Sequence, residues 1–367
     1  TGRIVVKNSQ GTQIDISEPI KLFEIPYQTQ RNTYIVGGNE KTLTSIMQQK
    51  DCIRTVVKDS GIISTDINFN RKAMGTYIPP ISLNYKAKDG SFYCSYGDKN
   101  VDAIPFLKEC CGLSDSEIEK AINNPSIYNS IISSKGKKKT KASDVYASVM
   151  KASINDPGES PDKIRDKLFN LNNFGDGKNI TMSNIGVDEN ASSKEIAFKV
   201  LQRTFDTISG RKEGDNNDDL RFKRILGNDD LILDKINSEV DSLEGFLKFN
   251  NADKELVPKV MRKFGNCRKN LNSFMTGTSS DASGVVENSE QINPLHNNSS
   301  AKKVLQKVNK RAASGNTRNL QVTGVSRLDP INTPESSKIG LSLELAQNAE
   351  VKNGTIYTKY YSVKNGV

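Results

Sequence analysis

A chain of 367 residues and 40.5 kDa has room for two or three domains of about 100–200 residues each. Its 52 Lys+Arg against 43 Asp+Glu give a net charge of +9, and 35% of its residues are apolar. With glycine counted in and tyrosine left out, that share still lies below the about 45–50% of an ordinary globular domain. Apolar periodic stretches recur throughout, which excludes a fully disordered chain. None approaches the roughly 20 residues that cross a bilayer, which excludes a membrane-spanning helix.

Residues 1–50 alternate strands and turns. Ile4-Val5-Val6 precedes a turn at Gly11, and Thr33-Tyr34-Ile35-Val36 runs into Gly37-Gly38, a turn pair. The start, Thr1–Lys7, is strand-like and not a signal peptide; because it opens on Thr, further residues ahead of it are expected. Ile53–Val57, Ile78–Tyr85 and Ser91–Tyr96 read as strands, and Asp89-Gly90 marks a hairpin between the last two. Val101–Cys111 reads as a helix. A second helix opens at Ser114, with Glu117 three residues on, the spacing at which each side chain satisfies the other's orphan backbone N–H. Residues 1–132 are therefore predicted to form a mixed sheet with helices packed on it, an α+β arrangement.

Lys135, Lys137, Lys138, Lys139 and Lys141 make residues 133–143 a basic loop. Helical patterns dominate 144–275, broken by polar stretches at 155–161, 172–180 and 209–219. Ser, Asn and Gly predict loop from 276 to 303. Strand character returns at Gln321–Val325 and at Gly354–Val363, the latter expected as an edge or hairpin strand cut off from its partner. Residues 276–367 thus read as loops and short strands. Neither an internal repeat nor a long heptad pattern is found.

Chemistry-bearing motifs are scarce. Cys52, Cys94, Cys110, Cys111 and Cys267 contain no CxxC pair, and His296 is the sole histidine. A structural zinc site needs four such ligands at suitable spacing, and five irregular cysteines make no disulfide framework. Buried free thiols in a reducing compartment, and no metal site, are the expectation. Gly136-Lys137 lacks the upstream glycine of a phosphate loop. His296 lies among Asn and Ser with no apolar frame for a Ser-His-Asp system. Asp215, Asp218 and Asp219 stand beside Arg221, Lys223 and Arg224, so mutual neutralisation is expected over a magnesium site. Phe174-Gly175-Asp176-Gly177 carries one carboxylate and reads as a turn.

What remains is charge. Lys/Arg clusters at 135–141, 221–224, 262–269 and 302–311 could neutralise phosphates and release condensed counterions, which points to a nucleic-acid partner. For any one cluster, a solvated face is the plainer alternative.

The densest signal is Pro330-Ile331-Asn332-Thr333-Pro334-Glu335-Ser336-Ser337-Lys338-Ile339-Gly340-Leu341. Two prolines fix φ and Gly340 permits close backbone approach, giving a stiff, non-helical hook. This hook, with Arg327 three residues ahead of it, resembles the P-I-E-T-P-E-G-x-N-I-G-L signature of the fork region in the β subunit of multisubunit RNA polymerases. Asn332, Ser336 and Lys338 depart from it. Other segments follow in the family's order. Tyr34–Glu40 resembles its early F-x-V-N-G-x-E turn, and Ile78–Ile122 resembles the second half of its protrusion. Tyr146–Phe169, with Pro157-Gly158-Glu159-Ser160-Pro161, resembles its helix-P-G-E-P-P-helix stretch. Asp218–Arg224 resembles its D-x-D-H-L-G-N-K-R segment. Asn293-Pro294-Leu295 resembles the N-P-L of its rifamycin-pocket region, and Lys310-Arg311 the basic pair downstream.

The resemblance spans residues 30–367. It implies a protrusion-like domain (1–132), a basic loop (133–143), a helical remainder of protrusion and reduced lobe (144–275), and a fork region (276–367). It implies one jaw of a DNA cleft and a fork loop near an active site. Lys310, Arg311, Gln291, Asn293 and Arg327 would face nucleic acid, while Pro334, Glu335 and Lys338 would brace the fork beside the incoming nucleotide. No catalytic residue is expected in this chain, because the family's magnesium ions are held by an aspartate loop of the other large subunit; the isolated chain is expected to be inactive. The family's β subunit continues well past the fork, so the resemblance implies a split subunit. Its expected partners are a C-terminal β-half polypeptide, β′-like chains, template DNA, nascent RNA and, where one is used, a promoter-specificity subunit; no membrane is involved. Composition and divergent motifs suggest a large bacteriophage, placing the enzyme in the cytoplasm of an infected bacterium or in the virion. The rival expectation is a basic structural nucleic-acid-binding protein without polymerase activity.

Overall fold

The computed structural model describes residues 3, 5–7, 13–19, 24–58, 60–70, 80–96, 99–109, 111–133, 165–166, 168–248, 256–307, 315–335 and 337–360. The Gly11 turn, Cys110, the lysines of the basic loop, the Pro157–Pro161 stretch, Lys310, Arg311 and Ser336 lie outside the described residues. The chain packs as two compact units, Gln49–Phe222 and Thr1–Gln48 with Lys223–Val367. It is α+β, with helices packed beside several sheets.

Strands β1 (Val5–Lys7) and β2 (Gln13–Ile16) pair antiparallel. A meander follows: β3 (Tyr27–Gln28), β4 (Thr33–Val36) and β5 (Asn39–Leu43). Gly37 and Gly38, at φ +56° and +80°, form the two-residue turn between Val36 and Asn39, a conformation that branched residues resist. Strand β6 (Ser45–Gln49) leads out of this unit.

The Gln49–Phe222 unit is built on an antiparallel meander of β7 (Ile53–Val57), β8 (Ile62–Ile67), β9 (Ile81–Lys86), β10 (Ser91–Tyr96) and β11 (Lys99–Asp102). Alternate residues of β10 (Phe92, Cys94, Tyr96) turn inward, the period of two that a half-buried strand requires. Helices α1 (Ala103–Glu109), α2 (Asp115–Ile122), α3 (Pro125–Ser133), α4 (Lys178–Ile185) and α5 (Ser193–Ile208) complete it. On α5, Ile196, Val200, Leu201, Thr204 and Phe205 form one buried stripe. Phe205 stands edge-on to Phe92 at 5.2 Å and to Tyr85 at 6.4 Å.

The Ser114 helix start has the expected geometry. Ser114 N–H donates to Glu117 Oε2 at 2.8 Å, and the Ser114 hydroxyl accepts from Glu117 N–H at 3.3 Å. The Asp89-Gly90 hairpin is also present, joining Lys86 to Ser91. The helix expected from Val101 starts later: Val101 and Asp102 pair with Cys94 and Tyr93 as β11, because the open edge of β10 offers their backbone groups partners. Residues 172–180, expected as a polar stretch, are instead a 3₁₀ turn at Leu171–Gly177, which buries Phe174 against Phe69, followed at once by the start of α4.

In the other unit, β12 (Lys223–Leu226) precedes α6 (Asn228–Lys248) and α7 (Leu256–Thr276). Then come β13 (Val286–Asn288), α8 (Pro294–Lys302), β14 (Lys303–Gln306), the single turn α9 (Gly315–Arg318), β15 (Ser342–Glu344), β16 (Glu350–Lys352) and β17 (Thr355–Tyr357). One sheet runs β12-β6-β14-β15, with β14 parallel to β6 and antiparallel to β15; another runs β13-β5-β4-β3. Tyr34, Val36, Leu43, Ile46, Phe274 and Met275 belong to its core.

Three expectations fail in this unit. The stretch 276–303 is not all loop: β13 completes a sheet against β5, and α8 forms because Asn293 caps it and Pro294 sits at its first turn. Gln321–Val325 is not strand but a 3₁₀ turn at Val322–Gly324. The Gly354 strand is not severed from its partner, since Asn353 and Gly354, at φ +49° and +72°, turn β17 back onto β16.

Candidate nucleic-acid interface

The hook is tied at its base and open at its tip. Asp329 Oδ1 accepts from the N–H groups of Ile331 (2.9 Å) and Asn332 (3.2 Å), the local turn that a short carboxylate side chain favours. Asp329's own N–H donates to the Glu344 carbonyl at 2.8 Å. The Thr333 hydroxyl joins the two limbs: it donates to Ser342 O and accepts from Gly340 N–H, each at 3.0 Å. Gly340 has φ +66°, and a Cβ there would lie 2.3 Å from the Arg318 carbonyl oxygen, so the position admits glycine alone. Arg318 donates to Ser337 O (3.0 Å) and Ile339 O (2.8 Å), while Gln306 Nε2 donates to Gly340 O (3.1 Å) and Thr317 O (3.3 Å). Leu341 is buried, whereas Ile331 is 86% exposed and Pro334 and Glu335 are exposed with it.

Pro334, Glu335 and Lys338 therefore share this loop. Lys338 Nζ lies 3.9 Å from Glu287 Oε1, and Lys303 Nζ reaches the other oxygen of that carboxylate at 3.1 Å. Arg327 sits below the hook: its guanidinium donates to Thr323 O (2.9 Å) and Ile356 O (3.3 Å) and lies 5.4 Å over the Tyr360 ring. Its donors serve the protein backbone, which makes it a brace. Asn293 caps α8, its Oδ1 accepting from His296 N–H at 2.7 Å. Gln291 donates to Glu40, which also receives the Thr33 hydroxyl and Arg31, the latter at 3.1 Å to each oxygen. Hydrogen bonding by Thr33, then Arg31 and Gln291, holds the Glu40 carboxyl below its usual range. Thr333 is a polar group the hook's sequence offers, and it and Asp329 each stand just ahead of a proline, a local turn signal; Arg318 and Gln306 carry no such signal.

Asp215 and Asp219 of the acidic run are ion-paired, as expected. Asp215 is buried, accepts from Thr55 N–H at 2.8 Å, and lies 3.4 Å from both Arg203 and Arg221; Arg221 also reaches Asp219 at 3.3 Å. Cys52, Cys94, Cys111 and Cys267 are buried free thiols, and burial pushes Cys52 and Cys267 up to about 11. Among the described residues, no three His, Cys, Asp or Glu side chains converge as metal ligands. None of the described helices is long and apolar enough to cross a membrane.

Comparison with known proteins meets this geometry at the hook. The family described as RNA polymerase Rpb2, domain 3, matches residues 287–351, from Glu287 through the hook to β16. The DNA-directed RNA polymerase subunit beta of Mycoplasmopsis pulmonis is 30% identical over 158 residues, covering 42% of this chain and 13% of the relative. The same subunit of Prochlorococcus marinus (strain MIT 9301) is 22% identical over 386 residues, covering 94% of this chain and 32% of the relative. That of Mesomycoplasma hyopneumoniae (strain 7448) is 26% identical over 193 residues, covering 50% and 16%. The chain thus spans about a third or less of the length of these relatives.

Proposed function

Taking a chain that is like the RNA polymerase β subunit as premise, we propose that it forms one jaw of the DNA cleft of a DNA-dependent RNA polymerase and carries the fork loop near the active site. The observation that carries this reading is the hook: a loop tied down by Arg318, Gln306 and Thr333 that leaves Ile331, Asn332, Pro334 and Glu335 exposed, inside the segment similar to Rpb2 domain 3. Such a loop can hold a strand or a nucleotide in place without moving itself, which is what positioning requires. Nucleotidyl transfer is positioning plus electrostatics around two metal ions. In this proposal the magnesium ions sit on a β′-like partner, and this chain contributes contacts but no reacting group.

The remaining β-like portion, template DNA and nascent RNA complete the proposed assembly in the bacterial cytoplasm or a virion. The split form and phage origin belong to the same proposal. The test is purification of a tagged chain from its native source. Recovery with a polypeptide carrying an Asp-x-Asp-x-Asp loop, with magnesium- and template-dependent RNA synthesis, is expected. Recovery alone, or with bulk DNA only, overturns the reading. Intact masses in the same preparation decide whether the β-like portion is divided, and RNA synthesis by the chain alone would refute its expected inactivity.

A further inference from the structure

The four cationic clusters of the sequence have different fates in the structure. The lysines of 135–141 lie outside the described residues. In 221–224, Arg221 is spent on Asp215 and Asp219, and Arg224 donates to the Gln48 side-chain oxygen at 2.7 and 2.9 Å. In 302–311, Lys303 is paired with Glu287. On α7, among the described residues, Arg262, Lys263, Arg268 and Lys269 form no ion pair, so this cluster keeps four such cations on one helix where 302–311 keeps Lys302 and Lys307.

Helix α7 contains five cations (Lys259, Arg262, Lys263, Arg268, Lys269) and no acid over 21 residues. It buries Leu256, Val257, Val260, Cys267, Leu271, Phe274 and Met275 on one side. At 100° per residue, Arg262, Asn266 and Lys269, with Lys259 beside them, fall on the face opposite, and Lys263 and Arg268 lie at the two flanks, each next to the buried stripe. Arg262, Asn266, Arg268 and Lys269 are exposed and Lys263 is half-buried. The acidic helix α6 packs antiparallel against α7, with Phe246 near Leu256 and Val260 and Glu239 beside Cys267 and Asn270. Glu239 is buried there, and Asn270 (3.2 Å to each oxygen) and Lys235 (3.9 Å) occupy its carboxylate.

We propose that this outward face of α7, centred on Arg262 and Lys269 with Lys263 at its flank, binds the phosphate backbone of a nucleic-acid strand. The proposal rests on the polymerase reading above and adds a site to it. From residue 259 to 269 the face spans about 15 Å, the rise of roughly four nucleotides of a duplex strand. Asn266 offers an amide between the cations, a donor suited to phosphate or sugar oxygens. Exposed cations on one helix face, with Arg262, Lys263 and Lys269 in no ion pair among the described residues, fit a continuous polyanion.

The test measures binding of the full chain to a labelled oligodeoxythymidine by fluorescence anisotropy, between about 50 and 200 mM KCl. The triple variant Arg262→Gln/Lys263→Gln/Lys269→Gln keeps good helix formers. Lys86→Gln/Lys108→Gln/Lys352→Gln removes the same charge from lysines already paired with Asp89, Asp115 and Glu350. At about 0.7 ion released per lost contact, the α7 triple should lower the salt slope by about 2 and weaken binding about 100-fold at 0.1 M salt. The control triple should barely move either. Equal effects of the two triples, no effect of the first, or wild-type binding of poly-L-glutamate as tight as that of the oligonucleotide would overturn the proposal. If the native assembly makes RNA while the α7 triple keeps the wild-type slope, the α7 site alone fails. If the slope falls as expected but the chain purifies without polymerase, the polymerase reading alone fails.

Discussion

The Gln49–Phe222 unit buries Ile67, Ile81, Leu83 and Phe205 almost completely between a five-stranded sheet and its helices. The hook at Asp329–Ser342 buries little beyond Gly340, Leu341 and Ser342, and takes its shape from hydrogen bonds donated by Arg318, Gln306 and Thr333. Hydrophobic burial is non-directional and scales with area, so it suits a body whose job is to be stable. Hydrogen bonds to backbone carbonyls are directional, so a few of them can fix the base of a loop and leave its tip free to touch something else. The second arrangement is the one expected at a working surface, and it explains how Ile331, Pro334 and Glu335 stay exposed on a defined loop.

The strongest way to break this comparison is Phe205→Ala. Phe205 is fully buried and edge-on to two rings, so truncation should cost about 3–5 kcal/mol in urea unfolding. A loss below about 1 kcal/mol would mean the core is not what holds this unit. Next comes Asp215→Ala, which strands Arg203 (11% exposed side chain) without its carboxylate and opens the edge of β7 at Thr55. About 3 kcal/mol is expected, with faster amide exchange at Thr55 as the local signature.

Gly340→Ala sharpens the other side of the contrast. Its left-handed φ and its approach to Arg318 should cost about 1–3 kcal/mol locally. Proteolysis within the hook should rise while exchange protection in the Gln49–Phe222 sheet stays unchanged; coupled loss in both would erase the distinction. Smallest is Ser114→Ala, which removes one cap for about 1 kcal/mol by thermal melting. The same cap sets a pH dependence. The Lys194 ammonium first, then the Ser114 N–H and hydroxyl, hold Glu117 at about 2 against an ordinary 4.5. A depressed carboxylate stabilises fully above its unfolded value, and that share is lost as pH falls from 4.5 through about 2. Glu117→Gln should flatten the acid limb of the stability curve over that window, and an unchanged limb would show that the cap is not formed.

Local chemistry was legible and remote pairing was not. Gly37-Gly38, Asp89-Gly90 and the Ser114/Glu117 box were read directly because each is decided by residues a few positions apart. Asn353-Gly354 carries the same kind of turn signal, and it is this turn that gives the Gly354 strand its partner in β16. Strand β8 is hidden in the sequence because Ser64, Thr65 and Asp66 blur its alternation; Thr65 is nevertheless buried, its hydroxyl bonded to those of Thr55 (2.9 Å) and Thr204 (2.7 Å). Helix α8 buries none of its residues, so no periodicity betrays it. At the candidate site the hook's stiffness was visible in Pro330, Pro334 and Gly340, but the arginine that ties it down was not.

By itself, then, the order of amino acids determined the α+β character, the short turns and caps, the surplus of positive charge and the existence of a rigid hook. Folding alone decided which cations are spent on Asp215, Asp219 and Glu287 and which on α7 have no ion-pair partner among the described residues, and that Arg318 braces Gly340 while Arg327 braces the backbone beneath. The physical reason is range: φ preferences and capping act over a few residues, whereas ion pairs and strand edges join groups that only the folded chain brings within reach.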